Sequence, residues 1–294
     1  MLRALVFWLF TSTSIALAQS VEIETYRGPQ EVNINPSKVV VLDIAALDTL
    51  AALGVEVDGV VNPLYVPYLN AGSATAVGTL FEPNYEALAA LAPELIIAGG
   101  RSHEVVPTLA ELAPTIDMTI WEDTVGQGLS RLEAYGKIFD KQAVATAMAA
   151  ELQVKIERAR SSVADAGDVL ILMTNGPKVS AYGSNGRFGW IHRTLSLSEA
   201  VPEVEQATHG EAVSFEFIKE ANPDVLLVID RLAAIGRESD GARATLDNAL
   251  VRDTNAWQQD RVIYLDSAPI YIANGGIQSL NVFLDQIIDA FEGR

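Results

Sequence analysis

Apolar residues in this chain fall in short continuous runs, separated by stretches where they recur every three or four positions. The runs "KVVVLDIA" (38–45), "EVDGVV", "PELIIAGG" (93–100) and "TIDMTI" (115–120) read as strands. Between them, "ALDTLAALG", "NYEALAALA" (84–92) and "EVVPTLAELA" (104–113) predict helices. Such alternation builds a parallel sheet covered on both faces. It is interrupted after 120. "GLSRLEAYGKIF" (128–139) reads as one helix, and Asp140 is a candidate N-cap for a second, 141–163, rich in Ala, Glu, Gln and Lys. At 1.5 Å per residue the second helix spans about 35 Å, the reach of a strut between two lobes. The alternation resumes with strand "DVLILMT" (168–174), an Asn175-Gly176 hairpin turn, "KVSAY", strands "DVLLVID" (224–230) and "RVIYLD" (261–266), and a closing helix "IQSLNVFLDQIIDAF". The expected organisation is an N-terminal α/β lobe at 21–125, a helical region at 126–164 and a C-terminal α/β lobe at 165–294.

The two halves contain a repeat. "NYEALAALAPELIIAGGR" (84–101) aligns without a gap on "SFEFIKEANPDVLLVIDR" (214–231), 130 residues on. Glu86 matches Glu216, Pro93 matches Pro223 and Arg101 matches Arg231. In an open α/β sheet, ligands bind outside the carboxyl ends of the strands. Arg101 and Arg231 stand at such ends, so each lobe offers an arginine to that edge. The helix before each strand runs the opposite way, which brings Glu86 and Glu216 to the same rim.

The first residues bear on compartment. Arg3, the apolar run 4–10 and Ala16-Leu17-Ala18 form the pattern of a secretory signal peptide, 1–18, cleaved after Ala18. That run is too short for the roughly 20 residues of a membrane span. Cysteine is absent from the chain, so disulfides, thiolate metal sites and a lipid-anchored cysteine are not expected. A protein free in the periplasm is expected. The net charge of −18 argues against nucleic acid and anionic membrane surfaces as partners, and makes any cluster of arginines more notable.

Chemistry-bearing residues are few. Arg187 lies in the glycine-rich "AYGSNGRFGWIH" (181–192), whose spacing is not a dinucleotide fingerprint and which follows a hairpin. G-x-S-x-G, Walker and H-E-x-x-H motifs are absent, and no nucleophile–base set is recognisable, so an exported enzyme is the weaker reading. Tyr271 lies in "APIYIANGG" (268–276), read as a loop before the last helix. The chain has three histidines, His103, His192 and His209. They lack helical ligand spacing, which disfavours a three-histidine Zn²⁺ or Mn²⁺ site.

Four segments together, "EPNYEALAALAPELIIAGGR", "AYGSNGRFGWIH", "HGEAVSFEFIKEANPDVLLVIDR" and "YIANGGIQSLNVFLDQI", resemble the periplasmic siderophore-binding proteins of ABC iron importers. The resemblance covers nearly the whole chain after 18 and is nearest to binders of ferric catecholates. It implies two Rossmann-like lobes with mainly parallel central sheets joined by a long rigid α-helix, the class III periplasmic binding protein architecture. It further implies no enzymatic activity, no intrinsic cofactor, a monomer, and a ferric siderophore as ligand. Arg101, Arg187 and Arg231 match the arginines that hold the anionic complex. His209 and Tyr271 match residues that can add to the iron, a role suited to a chelate leaving coordination positions open on Fe³⁺. Glu86 and Glu216 match glutamates that dock onto an inner-membrane permease; as charges at helix N-termini they also suit the macrodipole. Haem, a corrinoid or a hydroxamate chelate are the alternative cargoes.

Overall fold

The computed structural model describes residues 19–202, 204 and 210–293, so the expected signal peptide and His209 lie outside the described residues. An antiparallel hairpin, β1 (Ser20–Thr25) and β2 (Gly28–Asn33), opens the chain. The hydrophobic pattern did not reveal it, because Glu, Gln and Asn fill much of both strands and only Ile23, Thr25 and Val32 are buried.

Five parallel strands follow: β3 (Val39–Val41), β4 (Gly59–Val60), β5 (Thr75–Ala76), β6 (Leu95–Ala98) and β7 (Thr115–Asp117), in the order β5-β4-β3-β6-β7. The second sheet contains β8 (Asp168–Asn175), β9 (Lys178–Tyr182), β10 (Ser198–Glu199), β11 (Glu211–Val213), β12 (Val225–Asp230) and β13 (Val262–Tyr264). Its order is β11-β9-β8-β12-β13, with β10 paired to the start of β8. Strands β8, β10, β12 and β13 pair in parallel, while at one edge β9 pairs antiparallel with β8 and β11 antiparallel with β9. The fold is mixed α/β with parallel central sheets.

Both faces of the second sheet are covered, which explains its unbroken apolar runs. Val169, Ile171, Val225 and Leu227 join the main core, whereas Leu170, Leu172, Leu226 and Val228 form a second cluster on the other face. The main core also holds Val40 and Ile96 of the first sheet. Leu132 and Tyr135 of helix Thr124–Ile138, Ile156 of helix Gln142–Ser162 and Phe283 of helix Ile277–Glu292 continue it between the sheets. Lys155–Asp285 and Arg158–Glu292 ion pairs fasten the last helix along the long one.

Several expected boundaries shift. The strand expected at 38–45 ends at Val41, because the Asp43 side chain accepts from the Ala46 amide at 2.8 Å and starts helix Ile44–Ala52. Asp140 is not the N-cap of the long helix. It takes a left-handed φ of 52° at the corner between two helices, and the cap position falls to Lys141, which makes no side-chain cap bond. The helix expected at 104–113 splits into a 3₁₀ turn, Gly100–Val105, and a short helix, Val106–Ala110, with Pro107 in its first turn. Tyr271 belongs to helix Ser267–Ile272 rather than to a loop.

One contact joins distant parts of the chain. The N-cap Gly276 of the last helix has no side chain, and Asp48 of helix Ile44–Ala52 supplies the missing acceptor. Its carboxylate accepts from the Gln278 and Ser279 amides at 2.7 and 3.1 Å and from the Tyr68 hydroxyl at 2.6 Å. Those are among the first amides of a helix, which have no partner inside it. Burial pushes the Asp48 carboxyl up to about 7 against the pull of these donors.

Candidate functional site

Three arginines reach one place from three segments that follow strands. At the carboxyl end of β6 the chain turns at Gly100, φ 52°, whose amide donates to Thr119 Oγ1 at 3.0 Å. This sharp turn puts Arg101 in the 3₁₀ segment that follows. Arg187 sits in the loop between β9 and helix Trp190–Leu195. Its turns are closed by Gly186 N to Gly183 O at 3.0 Å and Gly189 N to Gly186 O at 2.9 Å. A Cβ on Gly189 would collide with the Ser184 carbonyl, so this loop needs glycine there. Arg231 follows β12 directly, where the Asp230 carboxylate accepts from the Leu232, Ala233 and Ala242 amides at 2.9, 3.1 and 2.8 Å.

All three guanidinium groups converge on Tyr271. Its backbone carbonyl accepts from Arg101 Nη2 at 3.0 Å and from Arg187 Nη2 at 2.8 Å. Its hydroxyl accepts from Arg231 Nε at 3.2 Å, and Arg231 Nη1 also donates to Asn175 Oδ1 at 3.3 Å. The Arg187 guanidinium lies 4.3 Å from the centre of the Tyr271 ring, a cation–π contact. None of these arginines forms an ion pair among the described residues.

The electrostatic consequence runs both ways. Burial and then the neighbouring Arg187 charge lower the Arg101 pKa, while Tyr271 and Asp43 oppose them. Burial tends to raise the Tyr271 phenol, but the charges of Arg187, Arg231 and Arg101, with the Arg231 hydrogen bond, outweigh it and bring its pKa below the ordinary value. The cluster therefore gathers three positive charges around a phenol whose pKa lies below its ordinary value.

Two cavities meet there, sharing Arg187, Arg231 and Tyr271. One, of about 700 Å³, adds Arg101, Asp43, Phe81, Trp121 and Arg193. The other, of about 620 Å³, adds Asn175, Lys178, Ser180 and Glu216. Sequence reasoning missed Asn175, which it read only as a turn residue, and Asp43, which lay inside an expected strand. It also missed Arg193, which bridges the halves by donating to the Glu122 carbonyl at 3.1 Å and to the Ser184 carbonyl. No local signal marks Phe81 or Trp121.

The structure brings Arg101, Arg187, Arg231 and Tyr271 together and leaves the two glutamates outside that cluster. Glu86 and Glu216 occupy the first turns of helices Tyr85–Leu91 and Phe215–Ala221, exposed. Glu216 borders the smaller cavity, and hydrogen bonds from its own amide and Ser214 hold its pKa below the usual carboxylate value. His103 is engaged elsewhere, its Nδ1 3.1 Å from the buried Asp117 carboxylate. His192 is buried in helix Trp190–Leu195, and that burial lowers its pKa. Among the described residues no group of three His, Asp or Glu side chains is placed to hold a metal ion.

Comparison with known proteins gives this geometry a context. The family described as periplasmic binding protein matches residues 39–269. The petrobactin-binding protein YclQ of Bacillus subtilis is 35% identical over 88% of this chain and 83% of its own. Its crystal structure superposes with a TM-score of 0.87 at 33% identity, covering 93% of this chain and 99% of that one. The ferric-anguibactin-binding protein FatB of Vibrio anguillarum is 30% identical over 94% of this chain and 89% of its own. The periplasmic catecholate-siderophore binding protein VctP of Vibrio cholerae superposes with a TM-score of 0.84 at 27% identity, covering 92% of this chain and 99% of that one. The chain belongs to the periplasmic binding protein family.

Proposed function

We propose that this periplasmic binding protein captures a ferric siderophore, of the catecholate class, in the cleft around Tyr271 and delivers it to the permease of an ABC importer. The observation that carries the reading is the convergence of three guanidinium groups without ion-pair partners among the described residues, in a chain of net charge −18. Like charges held together repel, and an anionic chelate relieves that repulsion while accepting charge-assisted hydrogen bonds. The name of VctP supports the catecholate class, and those of YclQ and FatB, binders of petrobactin and ferric anguibactin, support an iron-transport cargo.

In this reading Arg101, Arg187 and Arg231 hold the chelate oxygens. They also bond Tyr271 in the structure, so those bonds exchange for bonds to ligand. Tyr271, as phenolate, is a hard oxygen donor suited to Fe³⁺, and His209 is the second proposed iron ligand. Glu86 and Glu216 face the permease. The lobes are 21–125 and 165–294, the chain is exported to the periplasm with 1–18 removed, it acts as a monomer without an intrinsic cofactor, and it turns over no substrate.

Calorimetric titration with a ferric catecholate tests this. Replacing any one of the three arginines by Ala should lower affinity by roughly 10- to 150-fold, the scale of a lost hydrogen bond to a charged group. Unchanged affinity in all three variants sinks the proposed anion cage.

A further inference from the structure

Two large aromatic side chains stand exposed on the wall of the arginine-lined cavity. Phe81 is 67% exposed and Trp121 is 56% exposed, the two most exposed aromatics among the described residues. Both line the same space as Arg101, Arg187 and Arg231, and Ala45 and Ile120 continue its apolar surface. Leaving such rings in water forgoes burial that a folded chain ordinarily gains, and an exposed apolar patch at a cleft marks an interaction site.

Neither ring hangs from a slack loop. Phe81 caps a turn closed by the Gly78–Pro83 bridge and by Thr79 N donating to Glu82 O at 3.0 Å. Thr79 Oγ1 accepts from the Phe81 and Glu82 amides at 3.3 and 3.1 Å. The Trp121 and Glu122 amides donate to Gln127 Oε1 at 2.8 and 3.2 Å. Arg193 ties the Glu122 carbonyl to the opposite half of the molecule. Backbones already held in place lose little freedom on meeting a ligand, which is one condition for preorganised recognition.

We infer that Phe81 and Trp121 form an aromatic rim that receives an aryl ring of the bound chelate, so that the cleft selects aryl chelates over aliphatic ones. The inference rests on the ferric siderophore reading above and adds the feature that would discriminate within it. An aliphatic hydroxycarboxylate chelate satisfies the arginines and leaves both rings wet. An aryl chelate places its ionised oxygens on the guanidinium groups and its ring edges or faces against Phe81 and Trp121, burying all three.

The test is calorimetry with two probes, the ferric complex of 2,3-dihydroxybenzoic acid and ferric citrate. The unsubstituted protein should prefer the aryl complex. Phe81→Ala and Trp121→Ala should each cut that preference by about 10-fold, on the scale of one aromatic contact, while Trp121→Phe keeps most of it. Arg231→Ala should weaken both complexes. Equal losses for the two probes in Phe81→Ala and Trp121→Ala would overturn the rim, as would unchanged affinities accompanied by lost import, which would assign the rings to the permease face. Should the unsubstituted protein bind neither probe while circular dichroism shows it folded, the siderophore reading itself falls, and the rim with it. Should it bind both without preference, only the rim falls.

Discussion

Asp48 offers a quantitative test of how the two halves are joined. Its carboxyl is buried between helix Ile44–Ala52 and the start of the last helix, and burial raises its pKa from 3.8 to about 7, opposed by the Tyr68, Gln278 and Ser279 donors. A carboxyl whose folded pKa lies above its unfolded value binds its proton more tightly in the fold. Its stabilising contribution is therefore complete below about pH 4 and is lost as pH rises through about 7. That rise corresponds to about 4 kcal/mol across the window. Asp48→Asn keeps one of the two acceptor oxygens and cannot ionise, so it should flatten this part of the profile while adding a pH-independent cost where its amide group meets a donor. Urea unfolding from about pH 4 to pH 8, with the variant's stability subtracted from the parent's at each pH, isolates Asp48 from the other carboxylates. The difference should move against the parent as pH rises. A difference independent of pH would show that the hydrogen bonds, not burial, set the ionisation of this group.

Tyr271→Phe should abolish any phenolate-to-iron charge-transfer band that appears when a tetradentate ferric chelate binds. A hexadentate chelate should depend far less on this residue, and equal losses for both would assign Tyr271 to packing. Glu86→Ala should leave chelate affinity in place and impair import through a reconstituted permease; normal import by the Glu86→Ala, Glu216→Ala double variant would remove the docking assignment. Small-angle scattering profiles with and without ferric chelate should differ only slightly, because bending helix Gln142–Ser162 would break its backbone hydrogen bonds and strip the last helix from it; a large closure would refute this stiffness.

Much of the architecture is legible without coordinates because its causes are local. Runs such as "DVLLVID" are apolar at both odd and even positions, and the structure buries Leu226 and Val228 on one face and Val225 and Leu227 on the other. The 130-residue repeat, with Pro between helix and strand, fixes Arg101 and Arg231 just beyond strand ends by counting alone. The hairpin β1–β2 is not legible in the sequence because its polar strands carry little alternation, and Asp140 is no N-cap because a left-handed corner and an N-cap accept the same residue type.

Residue types, their period and their repeat thus determined an α/β chain with arginines at the carboxyl edges of its sheets. Only tertiary structure decided that Arg101, 170 positions from Tyr271 in sequence, would share that residue's backbone carbonyl with Arg187. Every residue has such a carbonyl, so nothing in the sequence marks the one that becomes a meeting point. The same holds for Asp48, whose helix-capping role depends on amides 230 and 231 positions away. Secondary structure follows from interactions between near neighbours. The convergence of distant segments follows from how the two sheets are held by helices Thr124–Ile138, Gln142–Ser162 and Ile277–Glu292, a rigid-body relation that no local pattern contains.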